Sequence, residues 1–466
     1  MATVSSLELA PWSLVAPHLG RGYPFMLDRG AGQGSFAGSC PVSQLIVERD
    51  GRVREFRDGR WVWLDIDPVE AISRYVESAE ADTIQAASCC DSAGAAAVAA
   101  HDLPRTVGYL GYELGLFAEP ASAAATARVR DMLGTPLAVL STYGAVDVWD
   151  PRRASITRVH FARREPGGVL GQHRRVTSSH WQETPQTVYR GGFDAIERAI
   201  GDGDIYQANL SRRIVADSSA QPAALYRRLR RAQPVPHGAF LDCGGFQLLS
   251  NSPETFLIRD GDRILTRPIK GTRPRGSDSA GDERLRNELV ADPKENAEHL
   301  MIVDLERNDL GRIARTGSVA VTRFAQVESF ATVHHLVSEV SAELRPGVDL
   351  AGILRATFPG GSITGAPKIR AMELLAEVEE NRRGPYCGAI GFFNGSRHLE
   401  LSIAIRTAVT CDGRALYSTG GGIVADSDCE REWEETEVKA AAFRAALESG
   451  DGAQAPASPQ TQMAVG

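Results

Sequence analysis

The stretch Ala389-Ile390-Gly391-Phe392-Phe393-Asn394-Gly395-Ser396-Arg397-His398-Leu399-Glu400-Leu401-Ser402-Ile403-Ala404-Ile405-Arg406-Thr407-Ala408 decides the fold class. Two strand-like runs, 389–393 and 398–408, flank Asn394-Gly395, a dipeptide that reverses the chain because both residues accept positive φ. The signal recurs at Asp260-Gly261, between 255–259 and 263–267, and at Asp412-Gly413 before 415–419. Another strand is expected over 205–215, and hairpins of this kind build antiparallel sheets.

Helical patterns lie between the strands: 191–200, 293 to about 305 with Asp292 as N-cap and Pro293 in the first turn, 367–379, and 427 to about 447 with Glu430 placed for a capping box. Hairpins with separate helices specify an α+β fold of large antiparallel sheets and flanking helices. Region 1–165 reads as mixed strands and Ala-rich helices, with a strand-rich run over 136–147 and a helix around 121–133. A polar connection over 165–185 leads to the second region, 186–448. The tail 449–466, rich in Ala, Pro, Gly and Gln, is expected to be disordered.

The 466 residues carry 51 Lys+Arg against 59 Asp+Glu, a net charge of −8, which opposes a nucleic-acid binder. Seven scattered Cys, without a C-x-x-C pair or zinc spacing, oppose structural zinc and a secreted disulfide framework. With no leader-like N-terminus and no run of about 18 apolar residues, a cytoplasmic protein without membrane contact is expected. Only four of the basic residues are Lys: Lys270, Lys294, Lys368 and Lys439. Biased composition explains most such counts, but an amine that must lose its proton cannot be replaced by a guanidinium.

Two Gly-rich segments imitate nucleotide motifs. In the segment from Gly360 to Lys368, Ala366-Pro367 separate the last Gly from the Lys, so the Walker pattern fails; the helix start behind it remains an anion-binding candidate. Gly420-Gly421-Gly422-Ile423-Val424-Ala425 satisfies G-x-G-x-x-A, but no second parallel strand follows. Its glycines instead let backbone approach a small ligand.

Glu295 and Glu298 share a helix face, and a later helix carries Glu430, Glu432, Glu434, Glu435 and Glu437. Any one of these could be a solvated surface group. As a set without His or Cys they favour Mg²⁺ over zinc. Glu254, in Ser252-Pro253-Glu254, sits at a strand junction and is either a turn residue facing water or a general acid, if its surroundings raise its pKa.

Six ordered blocks carry a resemblance: residues 203–210, 252–254, 268–272, 295–310, 358–368 and 420–439. Together they resemble the chorismate-binding enzymes, which include anthranilate, aminodeoxychorismate, isochorismate and salicylate synthases. The resemblance is strong over 190–447 and loose before it. Pro268-Ile269-Lys270-Gly271-Thr272 is similar to the aminodeoxychorismate type, whereas anthranilate synthases typically have Ala in place of the Lys. Gln207 stands where isochorismate and salicylate synthases place a water-activating Lys.

The resemblance implies Mg²⁺ held by Glu298 and Glu435 with help from Glu295, Glu254 as acid for the departing C4 hydroxyl, and Lys270 as nucleophile at C2. Ammonia would then enter at C4 and expel Lys270, giving 4-amino-4-deoxychorismate. It further implies that Arg406 and Tyr417 contact the pyruvyl carboxylate, the Gly421-Gly422 backbone the ring carboxylate, and His335 and Thr364 the substrate's flank; Thr272 and Lys439 complete the substrate set. On a regular strand, Arg267 and Arg273 would face away from Lys270. No Cys lies in a G-x-C-x-G turn, so ammonia is expected from a separate glutamine amidotransferase subunit in a heterodimer. The product would serve p-aminobenzoate and folate synthesis or an antibiotic precursor. An anthranilate or aminodeoxyisochorismate synthase, and a catalytically silent chorismate-binding regulatory subunit, remain the alternatives.

Overall fold

The computed structural model describes residues 12–30, 33–79, 84–85, 102–119, 129–161 and 176–448. The tail 449–466 lies outside the described residues, as does most of the helix expected around 121–133, whose last residues are not helical.

Two antiparallel sheets form the body. One has eleven strands and runs Gly365–Ala366, Gln207–Asp217, Arg414–Ile423, Thr407–Cys411, Gln247–Ser252, His237–Asp242, Phe25–Asp28, Ser35–Gly38, Ala145–Asp150, Ser155–Phe161, Ile84–Gln85. The other runs Ile269–Pro274, Val333–Glu343, Arg263–Arg267, Thr255–Asp260, His398–Ile403, Ala389–Asn394, Thr106–Leu110, Ala138–Thr142, Ser43–Val47, Val53–Arg57, Arg60–Leu64, with Ala320–Ser329 also on Val333–Glu343. The first 161 residues therefore complete both sheets: Phe25 pairs with Leu241 in one and Leu110 with Ala389 in the other. Phe36, Ile46 and Tyr109 from this part pack with Leu248, Phe392 and Leu416 in one buried cluster.

The hairpins form as their turn residues require. Asn394 pairs with His398 around Gly395 at φ 64°, and Cys411 pairs with Arg414 around Asp412 and Gly413 at φ 48° and 74°. One expectation is corrected. The strand expected over 398–408 is two strands in different sheets, His398–Ile403 and Thr407–Cys411. The break falls at Arg406, held at φ 52°, a conformation uncommon for a residue with a Cβ.

The helices of the second region are Gln186–Gly201, Pro293–Gly311, Lys368–Val378 and Cys429–Glu448, with Pro222–Ala232, Ser279–Ala291 and Leu350–Thr357 added. Asp292 caps the Pro293 helix as expected, accepting from the Lys294 and Glu295 N–H groups at 3.0 and 3.1 Å. The capping box expected at 427–430 does not form. Asp428 accepts from Arg431 N at 3.0 Å, while Glu430 reaches across to Arg190 and Gln186.

Arg230, on the Pro222–Ala232 helix, fastens it to the N-terminal part. Its Nη2 donates to Asp28 Oδ2 at 2.9 Å and its Nη1 to Asn251 Oδ1 at 2.7 Å, with both charged residues buried. Truncation leaves the Asp28 carboxylate without its counterion. Arg230→Ala is therefore expected to destabilise the protein by about 3 to 5 kcal/mol, read as a lower denaturant midpoint in equilibrium unfolding.

Candidate active site

The site is assembled from two acidic helices that approach the Gly420–Gly422 end of the Arg414–Ile423 strand. From the Pro293 helix, Glu298 Oε2 accepts from Lys270 Nζ at 3.2 Å and Glu295 Oε1 from Arg273 Nη1 at 3.1 Å. Lys270 and Arg273 thus reach the same helix, contrary to the regular-strand expectation. The reason is a bulge: Lys270 pairs with Leu336 and Thr272 with His335, leaving Gly271 extra at φ 77°, so the alternation of sides inverts. Arg267 does face elsewhere, pairing with Glu328. Burial raises the Glu295 pKa against the opposing pull of Arg273.

From the Cys429 helix come Glu435, whose Oε1 lies 2.5 Å from Lys439 Nζ, and Glu432, which accepts from Ser427 Oγ at 2.7 Å. Burial raises Glu432; burial acts the same way on Glu435, but the Lys439 ammonium, together with the charges of Lys270 and Arg406, outweighs it and holds that carboxyl below its ordinary value. Lys439 Nζ also donates to Gly420 O at 2.8 Å. A Cβ on Gly421 would lie 3.0 Å from Glu432 Oε2 and 3.9 Å from Glu435 Oε1, and one on Gly422 would lie 2.9 Å from Gln207 Nε2 and 3.0 Å from Lys270 Nζ. A side chain at either position would have to push these groups aside.

Four carboxylates with no His or Cys are a hard-oxygen donor set suited to Mg²⁺. Among the described residues the side chains do not stand as a ready three-ligand group, because Lys270 and Lys439 occupy Glu298 and Glu435. Glu432 was not singled out from the sequence. Its signal was its spacing, since 432 and 435 repeat the one-turn separation of 295 and 298.

Glu254 stands between the Gln247–Ser252 and Thr255–Asp260 strands, 5% exposed. Burial raises its pKa to about 7, against hydrogen bonds from Ser362 Oγ at 2.7 Å and from the Ile269 backbone and the charge of Lys270. It is a buried acid within reach of the charge of Lys270, not a turn residue facing water. A second carboxylate in this layer, Glu306, escaped the sequence reading; it is buried, accepts from Gly361 N at 3.1 Å, and burial with the Asp309 charge raises it to about 8. Lys368 pairs with Asp309, so it neutralises an internal carboxylate at the start of its helix.

Tyr417 OH and Arg406 Nη1 both donate to the Lys439 carbonyl, at 3.0 and 3.3 Å. His335 Nδ1 lies 2.9 Å from Thr272 Oγ1, and burial, with repulsion from Arg406, lowers its pKa to about 4, so its ring is neutral at pH 7. Thr364 is fully buried and its hydroxyl donates to the Gly360 and Gly361 carbonyls, which makes it a brace of the loop that presents Ser362. Gln207 is fully buried with neither amide atom bonded, an unmet demand facing Lys270 and Gly422.

A family model described as chorismate binding enzyme matches residues 52–445, and the chain belongs to that family. It is 35% identical over 442 residues to aminodeoxychorismate synthase component 1 of Bacillus subtilis, covering 90% of each chain. It is 47% identical over 257 residues to an anthranilate synthase component 1 of Haloarcula marismortui, covering 55% of this chain and 53% of the relative. Among solved structures, anthranilate synthase component I from Streptococcus pneumoniae superimposes with a TM-score of 0.71 at 29% identity, covering 88% of this chain and 92% of the other.

Because a methyl group at position 422 meets only the ends of two flexible side chains, Gly422→Ala should leave stability within about 1 kcal/mol. Displacing Lys270 and Gln207 should nevertheless cost about 100-fold in kcat/KM for chorismate. Steady-state kinetics and thermal unfolding measured together check both expectations.

Proposed function

We propose that the chain aminates chorismate at C4 to give 4-amino-4-deoxychorismate, using ammonia delivered by a separate glutamine amidotransferase subunit. The observation that carries the reading is the pairing of Lys270 with a buried acid: Glu254, raised to about 7, is hydrogen-bonded by the residue before Lys270. The relative matched over 90% of both chains is named for that activity, which supports the same choice.

In this reading Lys270 Nζ, oriented by Glu298, bonds to C2 of the ring while the double bonds shift and the C4–O bond breaks. Glu254 gives its proton to the departing hydroxyl, which leaves as water. Ammonia then bonds to C4, the shift reverses, and the C2–N bond to Lys270 breaks. The proton shed by the new ammonium returns to Glu254, so chorismate and ammonia become aminodeoxychorismate and water. Arg406 and Tyr417 face the pyruvyl carboxylate and the Gly421-Gly422 backbone the ring carboxylate, with His335, Thr272, Thr364 and Lys439 shaping the substrate's surroundings. Glu298 and Glu435, with Glu295 and Glu432, would hold Mg²⁺, which supplies positive charge against the ring carboxylate when bound. No described helix is long and apolar enough to cross a membrane.

Purified protein given chorismate, ammonium and Mg²⁺ should form aminodeoxychorismate without releasing pyruvate; fluorescent anthranilate with pyruvate would overturn the proposal. Lys270→Arg keeps the charge and should abolish both turnover and the mass-shifted Lys270 peptide trapped during reaction. Glu254 must be protonated to act, so at fixed free ammonia the rate should fall as pH rises through about 7. Glu254→Gln should remove that dependence and cost about 100- to 10,000-fold in kcat.

A further inference from the structure

Beside the Gln207–Asp217 strand lies a narrow open cleft that the chemistry above does not use. Its walls include Val188, Leu210 and Val378, and its polar groups include Tyr189, Arg213 and Asn381. Arg213 is 8% exposed. Its Nη1 is buried without a hydrogen-bond partner, and its guanidinium forms no ion pair with any described residue. Burial depresses its pKa, and Glu379 and Glu380 act on it only through charge at a distance.

Two carboxylates line the cleft: Glu380 is exposed and makes no ion pair with Arg213, and Glu379 cannot turn to it because it is fully engaged. Its Oε1 accepts from the Ser211 N–H and hydroxyl, at 2.9 and 2.8 Å, and its carboxylate holds Arg383 in an ion pair at 2.7 Å. The adjacent Arg212 differs from Arg213 in kind: it lies over the Trp433 ring, donates to Thr436 Oγ1 at 2.7 Å and pairs with Glu437. Asn381 Oδ1 and the Tyr189 hydroxyl, both buried in the same cleft, also lack partners. A buried guanidinium without a counterion is costly to keep. Beside two further unmet polar atoms, it marks a place built for a ligand that brings its own negative charge.

We propose that this cleft is a binding site for a small oxyanion, a carboxylate or a phosphate, held by the Arg213 guanidinium with Tyr189 and Asn381 completing its hydrogen bonds. The cleft is physically joined to the loop that carries Ser362. Arg383, which also lines it, donates from Nη1 to Ile363 O at 3.0 Å and from Nη2 to Asn209 O at 2.6 Å. Occupancy does not depend on the reaction proposed above, since none of these residues is assigned to the chemistry.

The test compares the full-length protein with Arg213→Met in a cationic buffer at constant ionic strength. Acetate and inorganic phosphate are titrated separately, without chorismate or Mg²⁺, by calorimetry and thermal unfolding. The wild type should show saturable binding of at least one anion with a matching rise in unfolding midpoint, and the anion that saturates identifies the source. The variant should lose both effects while unfolding at a higher temperature than the wild type in anion-free buffer, because the unpaired charge is gone. Equal anion responses in the two proteins, or no saturable response in the wild type, would overturn the proposal and leave a water-filled cleft. Arg213→Lys, which keeps the charge, guards against a variant that fails to fold; it should retain weakened binding.

Discussion

Two absent side chains set the scale of the catalytic centre. Gly421 and Gly422 lie in a strand that runs ten consecutive antiparallel pairs against Gln207–Asp217, placing Gly422 opposite Asn209 and Gly421 opposite Leu210. Onto this bare backbone converge Lys270, Gln207 and Glu432, each within about 3 Å of where a Cβ would stand. The long ladder matters because a slip by one residue would turn every side chain of the strand to the other face. Register in one sheet thereby fixes how closely a bulged strand of the other sheet, and the helix behind it, can approach.

The carboxyls around this backbone show how environment assigns protonation. Glu435 has an ammonium against it and is held below its ordinary pKa; Glu254, with only Ser362, a backbone amide and a more distant lysine, is pushed up by burial. One residue type therefore serves as a fixed charge on one side and as a proton donor on the other. The neutral His335 and the buried Glu306 extend the same rule inward, where dry surroundings favour whichever form carries no charge.

Much of this was legible in the sequence because it depended on local chemistry. Asp-Gly and Asn-Gly turns, the Asp292 cap and the one-turn spacing of Glu295 and Glu298 are properties of neighbouring residues, and all of them appear. The features that escaped depend on tertiary context. The bulge at Gly271 needs the pairing with Val333–Glu343 to define which residue is extra. The chain's change of sheet at Arg406 looks in sequence like one uninterrupted strand, because Leu399, Leu401, Ile403, Ile405, Thr407 and Val409 keep a period-two pattern straight through it. Glu432 and Glu306 are ordinary helical glutamates until the fold buries them. Nor could the linear division at about residue 165 reveal that the earlier strands extend both sheets.

The scarcity of lysine acquires a practical meaning once the side chains are placed. Lys270 and Lys439 touch the bare glycine segment, Lys294 lies 4.0 Å from Glu298, and Lys368 is locked against Asp309. In a protein whose other basic side chains are guanidinium groups or imidazoles, an amine-selective electrophile meets side-chain targets almost nowhere but here. A general protein-labelling reagent thus acts on this chain as a reporter of one site, and protection by a bound ligand can be read without any designed probe.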